Sequence, residues 1–329
     1  MRVMVVGGAG FVGLNLVEAL LAAGHTVVVF DRQPPLEAAS FARAAELVLG
    51  DVTDAMSVAA AAAGVDAVVN GAAITAGPQT EAADPKRILE VNLLGFVNLL
   101  QAARAAGVRR VVNLSSGSAY GDAAFGADPL DEAATAPDPK TFYALSKFAT
   151  ERVGARLAAL WGLDVRSLRL SSVFGPWEHE TGVRDTLSPP FQVVQALLRG
   201  EPVLLERADT RDWLYAPDVA RAVLALLEAP TPAHDLYNVS LGEAYALEAW
   251  AERVATQLGG GPVRVAAPGE TPNVVTHLPR PRRAMTTGRL RADLGIEAQF
   301  GLAASADHYA AWAKAHPTVL LKAGADGRH

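Results

Sequence analysis

The chain has 329 residues, of which 50% are hydrophobic and 19% are charged, and 29 basic against 35 acidic side chains give a net charge of −6. A length of this order suggests two domains, each large enough to bury a core. Gly (29) and Pro (20) together make up about 15% of the chain, which excludes collagen-like and largely disordered proteins. The acidic balance argues against nucleic acid as a partner.

Cysteine is absent, and the seven histidines are scattered along the chain. The composition therefore excludes disulfide scaffolds, cysteine-ligated metals and thiol nucleophiles, and we expect no metal site. The longest uninterrupted apolar stretches, near 3–14 and 55–65, run about a dozen residues, whereas a membrane-spanning helix needs about 18. The first stretch is rich in glycine, which is poor material for a signal peptide. We therefore predict a cytoplasmic protein without a membrane partner.

Short β-branched runs alternate with helical patterns over the first half of the chain. The predicted strands are Arg2–Val6, Thr26–Phe30, Leu47–Leu49, Ala67–Asn70, Arg110–Leu114 and Val165–Leu170. The predicted helices include Val12–Ala23, Pro85–Ala106 and Phe142–Trp161, with Gly24 and Gly107 at helix ends. This alternation predicts an α/β fold whose parallel sheet is covered by helices on both faces.

The pattern changes after about residue 172, where proline and charged residues become denser. A predicted helix at Pro217–Glu228 and an apolar strand at Leu236–Val239 then return to the first domain. We therefore predict a first domain from residues 1–171 plus about 212–241, and a smaller second domain from about 172–211 plus 242–315. The remaining residues, 316–329, are expected to form a mobile tail.

A glycine-rich turn, Gly7-Gly8-Ala9-Gly10-Phe11-Val12-Gly13, joins the first predicted strand to the first predicted helix. Glycine allows the tight turn and leaves the backbone at a helix N-terminus open to a pyrophosphate. Asp31 ends the second strand 18 residues after Gly13, where a carboxylate accepts hydrogen bonds from the ribose hydroxyls of a dinucleotide. That carboxylate repels the extra phosphate of NADP, so the pattern favours NAD, although Arg32 offers a partner for such a phosphate.

Tyr143 and Lys147 lie one turn apart at the start of a predicted helix, so the phenol and the ammonium share one face. A free phenol has a pKa of about 10, too high for a base near neutrality, and a fixed cation nearby stabilises the phenolate. An ordinary tyrosine–lysine pair on a helix surface shows the same spacing. The spacing alone therefore does not indicate a catalytic pair, and the neighbouring motifs have to be considered with it.

Several motifs occur together in the order and spacing of extended short-chain dehydrogenase/reductases, and the chain resembles their NAD-dependent sugar epimerase/dehydratase family. The motifs are Gly7–Gly13, Asp31, Asn70–Ala73, Glu90–Asn92, Asn113–Gly121, Tyr143–Lys147, Arg169–Pro176, Arg211–Trp213 with Asp218–Val219, and Tyr237–Gly242. The resemblance is strong over about residues 1–242 and loose beyond. It implies a Rossmann-type doubly wound parallel sheet, a smaller α/β substrate-binding domain, an NAD cofactor and a homodimer formed through the helices at about 85–106 and 142–161.

The resemblance also implies roles for individual residues. Tyr143 would take a hydroxyl proton, Lys147 would hold the nicotinamide ribose, and Ser116 would hydrogen-bond the reacting oxygen, with Ser115 as the alternative. Two residues also have a purely structural interpretation. Asp51 is then the acidic residue at a helix N-terminus, and Asn92 forms a hydrogen bond to the backbone from the middle of a helix. The residues expected beside the cofactor, besides Tyr143 and Lys147, are Gly7, Gly10, Phe11, Val12, Asp31, Arg32, Asp51, Val52, Gly71, Ala72, Ala73, Asn92, Leu170, Ser172 and Val173.

The positions after Ser116 distinguish the chemistries of the family. Dehydratases of the family carry an acid–base pair there, and decarboxylases of uronic acids carry a glutamate. This chain has Gly117 and Ser118, which leaves epimerisation through a keto intermediate or net oxidation or reduction of a free sugar or sugar acid. A non-catalytic NAD-binding regulator is a third alternative, which the intact Ser116, Tyr143 and Lys147 oppose.

The substrate side departs from the family pattern. Ser172 stands where the family usually has asparagine, and the family's second phosphate-binding arginine motif is not recognisable. Three nearby arginines could replace it or form a solvated basic loop, namely Arg280, Arg282 and Arg283. Arg184 lies in a loop faintly similar to that of uronate dehydrogenases, and His179 is a weaker candidate in the same loop. The predicted substrate-binding residues are Thr75, Ser116, Ser172, Arg184 and Arg211.

Overall fold

The computed structural model describes residues 1–126, 128–182, 187–276 and 280–322. The strands of these residues are β1 (Arg2–Val6), β2 (Thr26–Asp31), β3 (Glu46–Leu49), β4 (Ala67–Asn70), β5 (Arg110–Ser116), β6 (Asp164–Leu170), β7 (Ser172–Phe174), β8 (Val203–Leu205), β9 (Thr210–Arg211), β10 (Trp213–Tyr215), β11 (Leu236–Val239), β12 (Tyr245–Ala246) and β13 (Val263–Val265). The helices are α1 (Phe11–Ala22), α2 (Ala55–Ala61), α3 (Pro78–Ala83), α4 (Pro85–Leu89), α5 (Gly95–Ala106), α6 (Phe142–Trp161), α7 (Pro189–Leu198), α8 (Ala216–Glu228), α9 (Leu247–Leu258), α10 (Gly288–Leu294), α11 (Leu302–Ala315) and α12 (Pro317–Lys322). None of the described helices is long and apolar enough to cross a membrane.

The main sheet contains seven parallel strands in the order β11-β6-β5-β4-β1-β2-β3. All seven strands predicted from the sequence are present, with ends within two residues of the predicted ones. The order of the strands reverses between β1 and β4. In open parallel sheets such a reversal opens a crevice at the carboxyl ends of the strands, where ligands bind.

Apolar side chains fill both faces of this sheet. On one face α1 and α8 pack through residues such as Leu16, Leu20 and Val223, and on the other α2 and α5 pack through Val58 and Phe96. Burial of each such side chain contributes about 1.5–3 kcal/mol. This double covering confirms the predicted Rossmann-type α/β fold.

A second apolar cluster, built mainly from aromatic rings, lies among α7, α9 and α11. Phe174 is at its centre, with the ring centroids of Trp213, Tyr215, Trp250 and Tyr309 between 5.2 and 6.3 Å away. Because β7 and β10 pair beside it, this cluster directly adjoins the carboxyl ends of the main sheet. It therefore forms the other wall of the crevice.

Two segments differ from the sequence prediction. Residues 317–322 form α12, with Val319 and Leu320 buried, so the prediction of a mobile tail is wrong for them, whereas 323–329 lie outside the described residues. Helix α10, predicted within the smaller domain, instead packs Leu290 into the core of the main sheet beside β11 and α8. In both cases a few apolar side chains decide the packing, and the helices are too short to give a clear periodicity.

Trp177 links the second cluster to the first helix of the sheet. Its indole Nε1 donates to Glu18 Oε2 over 2.9 Å, and its ring packs edge-on against Phe41 and Trp312. Asn15 Nδ2 donates to the Pro176 carbonyl over 2.8 Å. Trp177 has a φ of 65°, in the left-handed region that non-glycine residues rarely occupy, so these contacts hold an unfavourable backbone conformation in place.

Candidate active site

A cleft of about 1280 Å³ follows the carboxyl ends of the central strands. Most residues predicted to bind cofactor or substrate line it, and two do not: Asn92 is buried behind it, and Arg184 lies outside the described residues. The lining residues that were predicted are Gly7, Gly10, Phe11, Val12, Asp31, Arg32, Asp51, Val52, Gly71, Ala72, Ala73, Thr75, Ser116, Tyr143, Lys147, Leu170, Ser172, Val173 and Arg211.

The glycine-rich turn brings bare backbone to the cleft. Gly7 has a φ of +76°, and a Cβ on it would lie 2.8 Å from the backbone nitrogen of Ala72. Gly10 begins α1, and a Cβ on Gly10 would meet only the Gly7 oxygen at 3.4 Å. No side chain caps this helix, so the N–H groups of its first turn remain available to an anion. The turn therefore fits the pyrophosphate of a dinucleotide.

Asp31 is fixed at the same end of the cleft. Its Oδ2 accepts from the backbone nitrogen of Ala9 over 3.0 Å, and its Oδ1 accepts from that of Arg32 over 2.7 Å. The carboxylate thus lies directly beside the glycine turn at the end of β2. This is the position from which an acid binds the adenosine ribose of NAD.

Asp51 organises the neighbouring loop. Burial favours its neutral form, but hydrogen bonds from Thr53 and Arg87 outweigh burial and lower the pKa of Asp51. The residue that caps α2 is Asp54, whose side chain accepts from the Met56 nitrogen, so the interpretation of Asp51 as that helix's N-terminal acid is wrong. Its ion pair with Arg87, at 2.9 Å, instead anchors the loop at the cleft wall.

Helix α6 supplies the tyrosine and the lysine. Thr141 caps it by accepting from the Ala144 nitrogen over 3.2 Å, which places Tyr143 and Lys147 in its first two turns. Lys147 Nζ lies 5.8 Å from the centroid of the Tyr143 ring and donates to the carbonyl of Leu114 on β5 over 2.8 Å. Burial lowers the pKa of Lys147 to about 8, and the charge of Glu151 opposes that effect.

The end of β5 distinguishes the two candidate serines, because alternate residues of a strand face opposite sides. Both serines line the cleft, but Ser115 is buried and donates to Glu151 Oε1 over 2.5 Å. Ser116 is only partly buried, and its hydroxyl contacts that of Ser118 at 3.0 Å. The Ser115 hydroxyl is therefore engaged by a buried carboxylate, whereas that of Ser116 is held by another hydroxyl.

Asn92 supports the site from behind. Its Oδ1 accepts from the Ile74 nitrogen over 2.7 Å, and its Nδ2 donates to the Ile74 carbonyl and to Ser146 Oγ. It lies in a π-helical turn, Glu90–Leu94, that interrupts the long helix predicted at 85–106. Asn92 thus makes the backbone contact of its structural alternative and ties Ile74, on the cleft wall, to α6, while its assignment to the cofactor stays a prediction.

Two arginines face the end of the cleft away from the glycine turn. Arg211 is buried, pairs with Asp209 at 2.6 Å, and lies 5.0 Å from the ring centroid of Trp213. Arg282 also lines the cleft, and within the described part of the chain no hydrogen bond or ion pair engages its guanidinium. Burial and the charge of Arg211 lower the pKa of Arg282 to about 10.

The other two candidate arginines have different environments. Arg280 lies over the ring of Phe125, 4.2 Å from its centroid, and Arg283 donates to the carbonyl of Gly126 over 2.6 Å. Both are exposed, so only Arg282 of the three faces the site. His179 also lines the cleft, where its ring contacts the Trp177 carbonyl at 2.8 Å. Burial lowers the pKa of His179, and the charge of Asp31 opposes that effect.

A dinucleotide turn, an acid at the end of β2 and a Ser–Tyr–Lys group at the junction of β5 and α6 define a short-chain dehydrogenase-type enzyme, which couples hydride transfer to proton transfer. The family model described as the NAD dependent epimerase/dehydratase family matches residues 3–240. The chain belongs to this family, and NAD is its cofactor.

Proteins of known function resemble the chain over most of its length. The UDP-glucose 4-epimerase of Mycolicibacterium smegmatis is 32% identical over 315 residues, which cover 92% of this chain and 95% of that protein. A probable UDP-glucuronate 4-epimerase of Rhizobium meliloti is 30% identical over 245 residues, covering 70% and 69%. The structure of Thermus thermophilus UDP-glucose 4-epimerase in complex with NAD is similar with a TM-score of 0.74 and 29% identity, covering 94% and 99%.

Proposed function

We propose that the protein is a nucleotide-sugar epimerase that inverts a secondary alcohol of its substrate through a keto intermediate. The relatives named above that act on UDP-sugars support this function. The residues after Ser116 support it as well, because Gly117 and Ser118 carry no carboxylate that could serve as an additional acid or base. Dehydration, which needs an additional acid and base, is thereby disfavoured.

The observation that carries this proposal is that Arg282 faces the cleft beside Arg211 with no hydrogen bond or ion pair to any residue that the structure describes. Two guanidinium groups that face one cavity repel each other, and an anion between them removes that cost. The cleft that reaches from them to the glycine turn exceeds the roughly 300–1,000 Å³ of an ordinary ligand pocket. It therefore suits a dinucleotide together with a long substrate that carries phosphate, such as a nucleoside diphosphate sugar.

The proposed reaction uses three side chains. The Tyr143 oxygen takes the proton of the substrate hydroxyl, Ser116 donates a hydrogen bond to the same oxygen, and the Lys147 ammonium stabilises the tyrosinate. Bound NAD supplies hydride acceptance and return, which converts the alcohol to a ketone and back with inverted configuration. Tyr143 then returns its proton to the oxygen, so the cycle ends without net redox change.

Two substrate panels test the proposal. Purified protein with NAD is mixed with nucleotide sugars in one panel and with free sugars and sugar acids in the other, and both NADH absorbance and product stereochemistry are followed. We expect interconversion of nucleotide sugars without accumulation of NADH. Stoichiometric NADH from a free sugar or sugar acid would instead establish a net dehydrogenase.

We also propose that the protein is a homodimer. Three leucines on neighbouring helices are unusually exposed for their size, at 37% for Leu89, 55% for Leu94 and 43% for Leu145. A second copy that covers them would bury this apolar surface. Light scattering of the wild type and of Leu94→Asp tests the proposal, which predicts a dimer and a monomer respectively.

The remaining assignments are proposals of the same kind. The seven-stranded sheet, residues 1–171 plus about 212–241, would bind NAD together with α10, which packs beside it. The rest of about 172–211 plus 242–315 would form the smaller domain and bind the sugar. The net charge of −6 favours small molecules over nucleic acid as partners. We place the protein in the cytoplasm, where cell fractionation with a specific antibody would find it.

A further inference from the structure

One turn after Lys147, a buried carboxylate joins the catalytic helix to two strands. Glu151 is only 6% exposed, and its Oε1 accepts from Ser115 Oγ over 2.5 Å and from Arg169 Nε over 2.9 Å. Its Oε2 accepts from Arg169 Nη2 over 2.7 Å. Glu151 therefore binds α6 to the end of β5 and to β6 at the level of the catalytic residues.

The network continues away from the cleft. The guanidinium of Arg169 lies 4.3 Å from the centroid of the Tyr120 ring, and the Tyr120 hydroxyl donates to Asn238 Oδ1 over 2.9 Å. Buried ion pairs of this kind often add little net stability, because desolvation offsets the attraction. Stability alone is thus a weak reason for a carboxylate at this position. Because Glu151 lies one turn from Lys147, an electrostatic effect on the lysine is a second reason.

Charges face Lys147 from each element around it. Tyr143 and Glu151 face it from α6, while the Leu114 carbonyl and Ser115 face it from β5. Arg169 on β6 acts through Glu151, and Arg282 acts on Tyr143 from the far side of the cleft. Among these groups of the described structure, Glu151 is the only carboxylate. It lies next to two buried cations, Lys147 and Arg169.

We propose that Glu151 is a positioning residue for the reaction. Its hydrogen bond to Ser115 fixes the strand end that carries Ser116, and its charge, balanced against Arg169, keeps Lys147 cationic beside Tyr143. The inference rests on the proposed proton transfer by Tyr143, but the charge balance itself exists in the protein without substrate. It can therefore be measured separately.

The titration of Lys147 reports this balance directly. The lysine ammonium signal that Lys147→Met removes from the NMR spectrum of the cofactor-free protein identifies that titration. Loss of a nearby negative charge lowers the pKa of Lys147, whereas loss of a nearby positive charge raises it.

Three variants then make opposite predictions. Glu151→Gln shifts the Lys147 titration to lower pH by roughly half a unit to one unit, because Glu151 lies one helical turn from Lys147 and its charge raises the pKa of the lysine. Arg169→Met shifts it to higher pH. The double variant with Met at both positions removes one charge of each sign, so its titration returns close to that of the wild type.

The matched control is Glu132→Gln. Glu132 Oε1 accepts from the Asn238 nitrogen over 2.7 Å, so it occupies the far end of the same network and loses the same charge. It is expected to leave the titration unchanged. If a single variant does not fold, the double variant still tests the inference, because apolar replacement of both partners of a buried ion pair is tolerated. Its titration should stay close to that of the wild type, and a shifted titration would contradict the charge balance.

The outcomes separate this inference from the proposed function. Shifts of opposite sign that cancel in the double variant support the charge balance, even if the substrate panels find a dehydrogenase. A titration that does not move in Glu151→Gln, with turnover lost, means a purely structural role and overturns the inference. In the active enzyme, the bell-shaped pH profile of kcat should move to lower pH with Glu151→Gln and stay in place with Glu132→Gln.

Discussion

Gly7 and Gly13 approach each other so closely that a Cβ on Gly13 would lie 2.2 Å from the Gly7 carbonyl oxygen. The third glycine of the motif therefore serves the packing of α1 against the turn. At Gly10 the nearest protein atom to such a Cβ is 3.4 Å away, which is ordinary contact. The same motif thus contains one glycine that the fold requires and one that the ligand requires.

Alanine at these two positions should have different effects. Gly13→Ala forces backbone to move and is expected to destabilise the protein by about 2–4 kcal/mol. Gly10→Ala should fold nearly normally but weaken NAD binding by about tenfold or more, because its methyl group enters the pyrophosphate site. Thermal unfolding and calorimetric titration with NAD measure the two effects, and unimpaired NAD binding by Gly10→Ala would contradict the assigned site.

Tyr143→Phe removes the hydroxyl that accepts the substrate proton and leaves the ring. Turnover should fall by about 10²–10⁴-fold, while NAD binding persists. Tyr309→Phe is the matched control, because Tyr309 does not line the cleft and its buried hydroxyl has no hydrogen-bond partner among the described residues. We expect the control to keep its activity, and comparable turnover in both variants would exclude Tyr143 as the base.

The pKa of about 8 for Lys147 predicts a pH dependence. Above that pH the lysine of the folded, cofactor-free protein loses the charge that stabilises the tyrosinate, so kcat/KM should fall. An unfolded lysine has a pKa of about 10.4, so between about pH 8 and pH 10.4 the unfolded state binds more protons than the folded state. The contribution of Lys147 to the free energy of unfolding therefore increases as the pH rises through this range. Activity loss near pH 9 without unfolding, followed by circular dichroism, is the expected result.

Local motifs in the sequence predict much of this molecule. The seven strands, α6 and the residues Asp31, Ser116, Tyr143 and Lys147 depend on periodicity and spacing, which are properties of neighbouring residues. Strand ends and helix starts place such residues at one edge of a parallel sheet. The cleft therefore follows from the fold once the motifs are recognised.

The features that were missed depend on contacts distant in the sequence. Asn92 lies in a π turn and bonds Ile74 and Ser146, which are 18 and 54 residues away, and no periodicity signals that turn. The sequence places Glu151 four residues after Lys147, on the same helix face. Its proposed role, however, depends on Arg169, which comes from a strand. Only the folded chain shows that Arg282, and neither Arg280 nor Arg283, enters the cleft.

Substitution of Arg282 tests the proposed phosphate site. Arg282→Gln removes the charge and keeps much of the side-chain length, so KM for a nucleotide sugar should rise by about 10–100-fold, as for a lost charge-assisted hydrogen bond. The affinity for NAD, whose pyrophosphate site lies at the opposite end of the cleft, should stay unchanged. Arg283→Gln removes the same charge from an exposed position and should leave KM as it is. An unchanged KM in Arg282→Gln, or an equal loss in both variants, would place the substrate's phosphates elsewhere, whereas a selective rise establishes that the Arg282 guanidinium binds them.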